Sequence, residues 1–239
     1  EVRDSYLKGE VYNTDFFFFF FFKKGNGHII LNHQKKVIVD NSIVFISAFQ
    51  KRQWQLNPDN LDFTVLAFQE DFLNDFFSDK LFTYRLLYFY QLEYPLCMQV
   101  QQDITTFYCV LLSEMKTELL KTKADSVHII RSLIYYLLQK LNREYAEKHQ
   151  LPLEKNGNNY AFQFKKLTEI HIKEKQRIND YTEILNVSRI SLNKAVKEYF
   201  NVTATYMLKQ RLLIEIKDYL IHSELTVAEI AYELNFSEP

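Results

Sequence analysis

"NDYTEILNVSRISLNKAVKEYF" spans residues 179–200 and holds two helices with a break between them. The spacing predicts a short helix over 180–185 that ends at Asn186, a residue that tolerates the left-handed turn closing a helix. Ser188 offers an N-cap oxygen for a longer helix running to about Phe200. The inward face of this pair is expected to hold Leu192, Val196 and Tyr199 or Phe200, with Ile184 and Leu185 from the first helix. Two helices joined by three or four residues make the helix-turn-helix pattern, whose second helix enters the DNA major groove. The outward face of that helix then carries Arg189, Ile190, Asn193, Lys194 and Lys197. Arg and Lys pair with guanine, Asn pairs bidentately with adenine, and Ile touches a thymine methyl. Ser188 and Lys197 are placed for phosphates. On spacing alone, the same face reads equally well as a solvated helix surface.

Downstream, a long helix is expected over about 203–222. "TVAEIAYELNFSEP" (226–239) follows, with Thr226 as N-cap and Val227, Ile230, Ala231 and Leu234 at helical spacing. Asn235 again suits a left-handed turn. Ser237, Glu238 and Pro239 read as the cap and first turn of another helix. The expectation is a second helix-turn-helix, cut off before its second helix. Upstream, Phe164, Leu167 and Ile170 begin a further helix. Residues 160–217 carry 11 Lys and Arg against 6 Asp and Glu, whereas residues 218–239 carry no Lys or Arg and 5 acids. A polyanion partner would therefore meet the first of these segments.

The first hundred residues read as β-structure. "DFFFFFFFKKGNGHIILN" (15–32) gives an apolar run, a Gly-rich turn and a second apolar run, which is a hairpin signal. Short strands are expected at 37–39, 43–46, 53–56 and 63–68, separated by turn residues. Many short strands at this spacing suggest a small barrel or sandwich. The seven phenylalanines at 16–22 have no usable alternation, so their register is not readable, and they are an aggregation hazard unless both faces are covered. Residues 103–148 read as two helices. One carries the stripe Ile104, Phe107, Leu111, Met115 and Leu119; the other carries Ile130, Leu133, Leu137, Leu141 and Tyr145. Residues 151–160 lack periodicity and contain Pro, Gly and Asn, so they are expected to be a linker between a domain at 1–150 and one at 161–239.

Bulk properties exclude other classes. The chain has 239 residues, a net charge of −1, four Gly and four Pro, which leaves no room for a collagen-like or Pro-rich linker reading. The longest apolar run is too short to span a bilayer. Two cysteines, Cys97 and Cys109, lack CxxC spacing, as expected of reduced thiols in a cytoplasmic protein. His28 and His33 are the only histidines before residue 128, and no HxH occurs, which argues against a cupin-type metal enzyme. No P-loop, GxGxxG or Ser-His-Asp arrangement is apparent, so neither an enzyme nor a cofactor is expected.

The stretches "YTEILNVSRISLNKAVKEYFNVTATYMLKQRL" and "LTVAEIAYELNFSEP" resemble the AraC/XylS family of transcription regulators over about residues 178–239. The first half is similar, by order and pattern, to that family's cupin-like sensing barrel with dimerisation helices. The resemblance implies an α+β, two-domain protein: an N-terminal cupin-like β-barrel with helices and a C-terminal all-α helix-turn-helix domain. It implies promoter DNA, an unidentified small-molecule effector, RNA polymerase and a second copy of the chain as partners. Asn201 stands where the family usually has Gly, and Ala204 where it commonly has Pro. An effector pocket would be lined by Phe18, Phe20, His28, Phe45 and Trp54, an aromatic set suited to an apolar or sugar-like ring, though ordinary core packing accounts for each of them too. Leu133, Leu137 and Leu141 are the expected dimer seam, or else a stripe packed within the chain. A cupin-like ligand carrier or oligomerising protein that binds no DNA remains the alternative.

Overall fold

The computed structural model describes residues 9, 11–31, 33–76, 81–90, 96–151, 153 and 160–236. Most of the expected linker (residues 152 and 154–159) lies outside the described residues, as do Ser237, Glu238 and Pro239. The chain divides into two units, Glu1–Leu153 and Glu154–Pro239.

The first unit is α+β. Its strands are β1 (Val11–Tyr12), β2 (Phe16–Lys24), β3 (Gly27–Leu31), β4 (Gln34–Ile38), β5 (Ser42–Ile46), β6 (Arg52–Leu56), β7 (Asp62–Gln69) and β8 (Cys97–Gln99). They form two antiparallel sheets, ordered β1-β6-β3-β4 and β7-β2-β5-β8. Among the described residues no strand pairing joins these sheets; they pack face to face, so of the expected barrel or sandwich a closed barrel is not shown.

The phenylalanine run is the centre of this arrangement. β2 pairs with β5 (Phe18 opposite Ile46) and with β7 (Phe18 opposite Ala67). Side chains alternate across a strand. Phe20 and Phe22 therefore face the other sheet, where Phe20 packs on Trp54 with ring centroids 4.5 Å apart. Phe17, Phe19 and Phe21 face the opposite way, toward Phe89 (5.0 Å), Tyr88 (5.6 Å) and Tyr108 (5.5 Å). The run does not alternate because both of its faces are covered, as in any strand central to three layers.

The expected hairpin between this run and "HIIL" does not form. β2 and β3 belong to different sheets, and Gly25 and Gly27 carry the chain across. A Cβ on Gly25 would lie 2.6 Å from the Val39 carbonyl oxygen, and one on Gly27, at φ +129°, would lie 2.3 Å from that of Gln55. These glycines are required by close backbone approach rather than by a two-residue turn.

Helices cover the second sheet: α1 (Glu70–Asn74), α2 (Leu87–Tyr90), α3 (Gln102–Lys121) and α4 (Ser126–His149). The buried face of α3 is Thr105, Tyr108, Leu112, Met115 and Glu118. It is rotated by about one residue from the expected stripe, and Leu119 is 61% exposed. The reason is polar: Ser126 Oγ donates to Glu118 Oε1 at 2.7 Å, which turns Glu118 inward at the helix end. On α4, Leu137 and Leu141 are fully buried in their own unit and Leu133 is half-buried. These leucines therefore belong to the chain's own core and are not a free dimer seam.

The second unit is all helix: α5 (Tyr160–His171), α6 (Ile178–Leu185), α7 (Arg189–Phe200), α8 (Ala204–His222) and α9 (Val227–Glu233). Its core gathers Phe162, Phe164, Tyr181, Leu192, Val196, Phe200, Met207 and Leu208. An ionic cluster ties α5 to α8. Arg211 Nε donates to Glu169 Oε2 and Arg211 Nη1 to Glu215 Oε2, both at 2.8 Å, and Lys165 pairs with Glu169 at 2.5 Å. Burial alone would raise the Glu169 carboxyl, but Lys165 and Arg211 hold it down at about 2.

Candidate nucleic-acid interface

α6 and α7 are joined by Asn186, Val187 and Ser188. Asn186 is left-handed at φ 51°. The Asn186 N–H donates to the Glu183 carbonyl at 3.1 Å and the Val187 N–H to that of Thr182 at 3.0 Å, which together make a Schellman closure. Ser188 Oγ accepts from the Ser191 N–H at 3.1 Å and starts α7. Ile178 and Tyr181 are the buried anchors of α6, and the Tyr181 hydroxyl donates to the Lys175 carbonyl at 2.7 Å. Ile184, expected in the core, is instead 46% exposed, and Leu185 is half-buried. The stripe runs 178, 181, 185, which leaves 184 about a quarter-turn to one side, on the edge of the buried face.

Along α7, Leu192, Ala195, Val196 and Phe200 are buried. Arg189, Ile190, Ser191, Lys194 and Lys197 are exposed, Ile190 at 82%. This face presents three cations along the helix, with Arg189 in the first turn, where the partial positive charge of the backbone also favours anions, and Lys197 in the last. Ser191 joins it although sequence reading passed over it. Its signal was the Ser188-x-x-Ser191 spacing, since the two hydroxyl oxygens lie 2.9 Å apart.

Asn193 does not belong to this face. It is half-buried, and its Oδ1 accepts from the Ala204 N–H at 3.0 Å. A bidentate pair with adenine needs that oxygen free. The cause lies at residue 204, the first helical position of α8. A proline there has no N–H to satisfy. Ala204 has one, and it is fully buried, so an acceptor is needed and Asn193 supplies it. Asn201 takes the left-handed turn after α7, at φ 57°.

The turn after α6 is repeated after α9. Asn235 is left-handed at φ 57°. Its N–H donates to the Tyr232 carbonyl at 3.0 Å, and the Phe236 N–H to that of Ala231 at 2.8 Å. Ile230 and Leu234 occupy the buried places that Tyr181 and Leu185 take in the first copy. Thr226 caps α9 in a capping box with Glu229. Gln176 Nε2 donates to the Leu234 carbonyl, and Asn235 Nδ2 to that of Lys173 at 3.1 Å, which fixes the second copy on the loop before α6. α8, which separates the copies, has 19 residues and spans ~28 Å at the usual rise.

The residues expected to line an effector pocket are not brought together. Phe20 and Trp54 are fully buried between the sheets, with Phe18 half-buried beside them. Phe45 lies on the other side of its sheet, stacked on Tyr88 at 4.6 Å. His28 shares the outward row of β3, opposite to buried Ile29 and Leu31. Among the described residues, no group of three His, Cys, Asp or Glu is placed to hold a metal ion, and no helix is long and apolar enough to cross a membrane.

Residues 181–239 match a family model described as a helix-turn-helix domain. No curated protein matches the chain. Among solved structures, ToxT from Vibrio cholerae O395 is 15% identical with a TM-score of 0.45, covering 97% of this chain and 86% of that one. Unsaturated fatty acid bound ToxT from Vibrio cholerae strain SCE256 is 14% identical with a TM-score of 0.43, covering 97% and 84%. The AraC-like transcriptional activator CuxR is 10% identical with a TM-score of 0.36, covering 84% and 67%. Likenesses this distant carry nothing about ligand or mechanism.

Proposed function

We propose that residues 181–239, which match a helix-turn-helix domain model, are of the AraC type, and that the protein is a sequence-specific transcription regulator of the cytoplasm, controlled by a small-molecule effector. The observation that carries the reading is the repeated helix and left-handed Asn turn, at Asn186 and at Asn235, with a basic, solvent-facing helix after the first. Arg189, Ile190 and Lys194 read base edges, and Ser191 and Lys197 position the helix on phosphates. The N-terminal unit is the sensor, a cupin-like domain in its order of strands and helices, and the working species is a homodimer that meets RNA polymerase at the promoter. Effector binding shifts the balance between a state that engages DNA and one that does not.

Selection from a random duplex library tests this directly. An enriched motif supports the regulator, and no enrichment at low salt favours the DNA-free ligand carrier. On the selected duplex, Arg189→Ala and Lys194→Ala should each weaken binding by ~5-fold or more at fixed salt, the loss expected for one base contact. Wild-type affinity in both variants would remove α7 from the interface.

A further inference from the structure

The two sheets have four edge strands among the described residues, and three of these are short or guarded. β1 is two residues long and β8 three. β4 carries Lys35 and Lys36 side by side, the kind of charge that keeps an edge from pairing. β7 is different. It runs for eight residues, and among the described residues it pairs on one side, with β2. From Phe63 to Phe68 it holds no charged residue, no Gly and no Pro. Thr64 and Ala67 are exposed. A long, uncharged edge offers its backbone N–H and C=O groups to another strand.

α3 extends the same surface. Cys109 shares a side-chain hydrogen bond with Thr64, which identifies the side of α3 that lies along β7. With Thr105, Tyr108, Leu112 and Met115 buried, the helical repeat puts Thr106, Val110, Ser113 and Thr117 on that flank. All four are exposed, Val110 at 63%, and none is charged. The opposite flank of α3 is occupied within the chain, where Phe107 meets Tyr136 of α4. Charge borders the strand at both ends. Lys23 and Lys24 stand exposed at its start, with Lys24 opposite Asp62, and Glu70 and Asp71 follow its end.

We propose that this surface is the seam of a homodimer: β7 pairs antiparallel with β7 of a second copy, joining two four-stranded sheets into one of eight, and the uncharged flank of α3 packs on its own copy above them. The occupant is a second copy because the surface complements itself. The two-fold axis of an antiparallel pair stands perpendicular to the sheet and passes between two identical residues. With Val65 on that axis, Thr64 lies opposite Leu66 of the second copy, and both α3 helices stay on one side of the joined sheet. The Lys23 and Lys24 end of each copy then comes beside the Glu70 and Asp71 end of the other. Moving the axis to Leu66 would set Asp62 against Glu70 of the second copy, and like charges directly opposite are unfavourable. This gives the proposed homodimer its interface and rests on that reading to this extent.

The test uses the whole chain, without DNA, in sedimentation velocity over a hundredfold range of concentration. A dimer is expected. Val110→Glu and Val110→Lys should each raise its dissociation constant by tenfold or more, because like charges then lie near one another across the axis. An equal mixture of the two variants should recover the dimer, which also shows that both are folded. Tyr136→Glu, on the other flank, should leave the constant unchanged. A monomer at every concentration, a wild-type constant in both Val110 variants, or no recovery in the mixture overturns the seam. So does loss of the dimer in Tyr136→Glu alone, which would move the interface to the outer face of α3 and α4. A protein that dimerises through Val110 but selects no duplex keeps the seam and loses the regulator reading; one that selects a duplex with wild-type dimerisation in both Val110 variants loses the seam alone.

Discussion

The two units treat a buried arginine in opposite ways. In the second unit, Arg211 faces two carboxylates at 2.8 Å, and buried Lys165 and exposed Lys173 complete the cluster. In the first, Arg52 is buried more deeply yet is met only by two rings and a threonine. The Arg211 cluster gives each carboxylate two cations within the chain and ties α5 to α8. At residue 52 the charge is met only by two ring faces and one hydroxyl. The same side chain is therefore compensated by carboxylates in one unit and mainly by aromatic faces in the other.

The largest effect should come from breaking the balanced cluster. Arg211→Met leaves buried Glu215 and half-buried Glu169 without their shared partner and should destabilise the second unit by ~3 kcal/mol in urea unfolding. Acid should do the same more gently. The Glu169 carboxyl sits at about 2 in the folded unit against an ordinary 4.5. Its folded value is the lower one, so its stabilisation is complete above about pH 4.5 and is lost as pH falls toward 2. A loss of ~2 kcal/mol across that window, measured on the second unit's unfolding signal, is expected. Arg52→Met should shift stability the other way, by a gain of ~1 kcal/mol in the ligand-free protein, because an apolar side chain replaces an unbalanced charge. The smallest effect concerns a neutral group. Asn193→Ala leaves the buried Ala204 N–H without an acceptor and should cost ~1 kcal/mol of stability, with DNA affinity at fixed salt little changed. A large loss of affinity at unchanged stability would return Asn193 to the DNA-facing set.

What could be read in advance followed the range of the cause. The turns at Asn186 and Asn235 and the caps at Ser188 and Thr226 are set by residues within a few positions, and the spacing revealed them. The strands expected at 43–46, 53–56 and 63–68 also form, as Ser42–Ile46, Arg52–Leu56 and Asp62–Gln69. The failures needed information from far along the chain. The pairing of β2 is decided by β5 and β7, not by the glycines next to it, so a local hairpin signal misled. Leu137 and Leu141 carry a stripe that fits either a partner helix or their own core, and only the packed sheet distinguishes these. Asn193 has its use dictated by residue 204. Arg52 looks like a surface residue between Lys51 and Gln53, and nothing local says that its row on β6 faces inward. In the candidate reader helix, the outward residues Arg189, Ile190, Lys194 and Lys197 were legible from periodicity, whereas the burial of Arg52 between the rings of Tyr12 and Phe18 was not.

The central position of β2 has a consequence during synthesis. Its partners end at residue 46 on one side and residue 69 on the other, and a third layer arrives only with Tyr88, Phe89 and Tyr108. While the ribosome makes those later segments, seven consecutive phenylalanines stand in water without cover. A chain emerging at ~5–20 residues per second leaves them so for several seconds. The strand that later seals the first unit is thus its most adhesive segment at birth, and slow translation between residues 24 and 108 should lower the yield of folded protein more than equal slowing after residue 160.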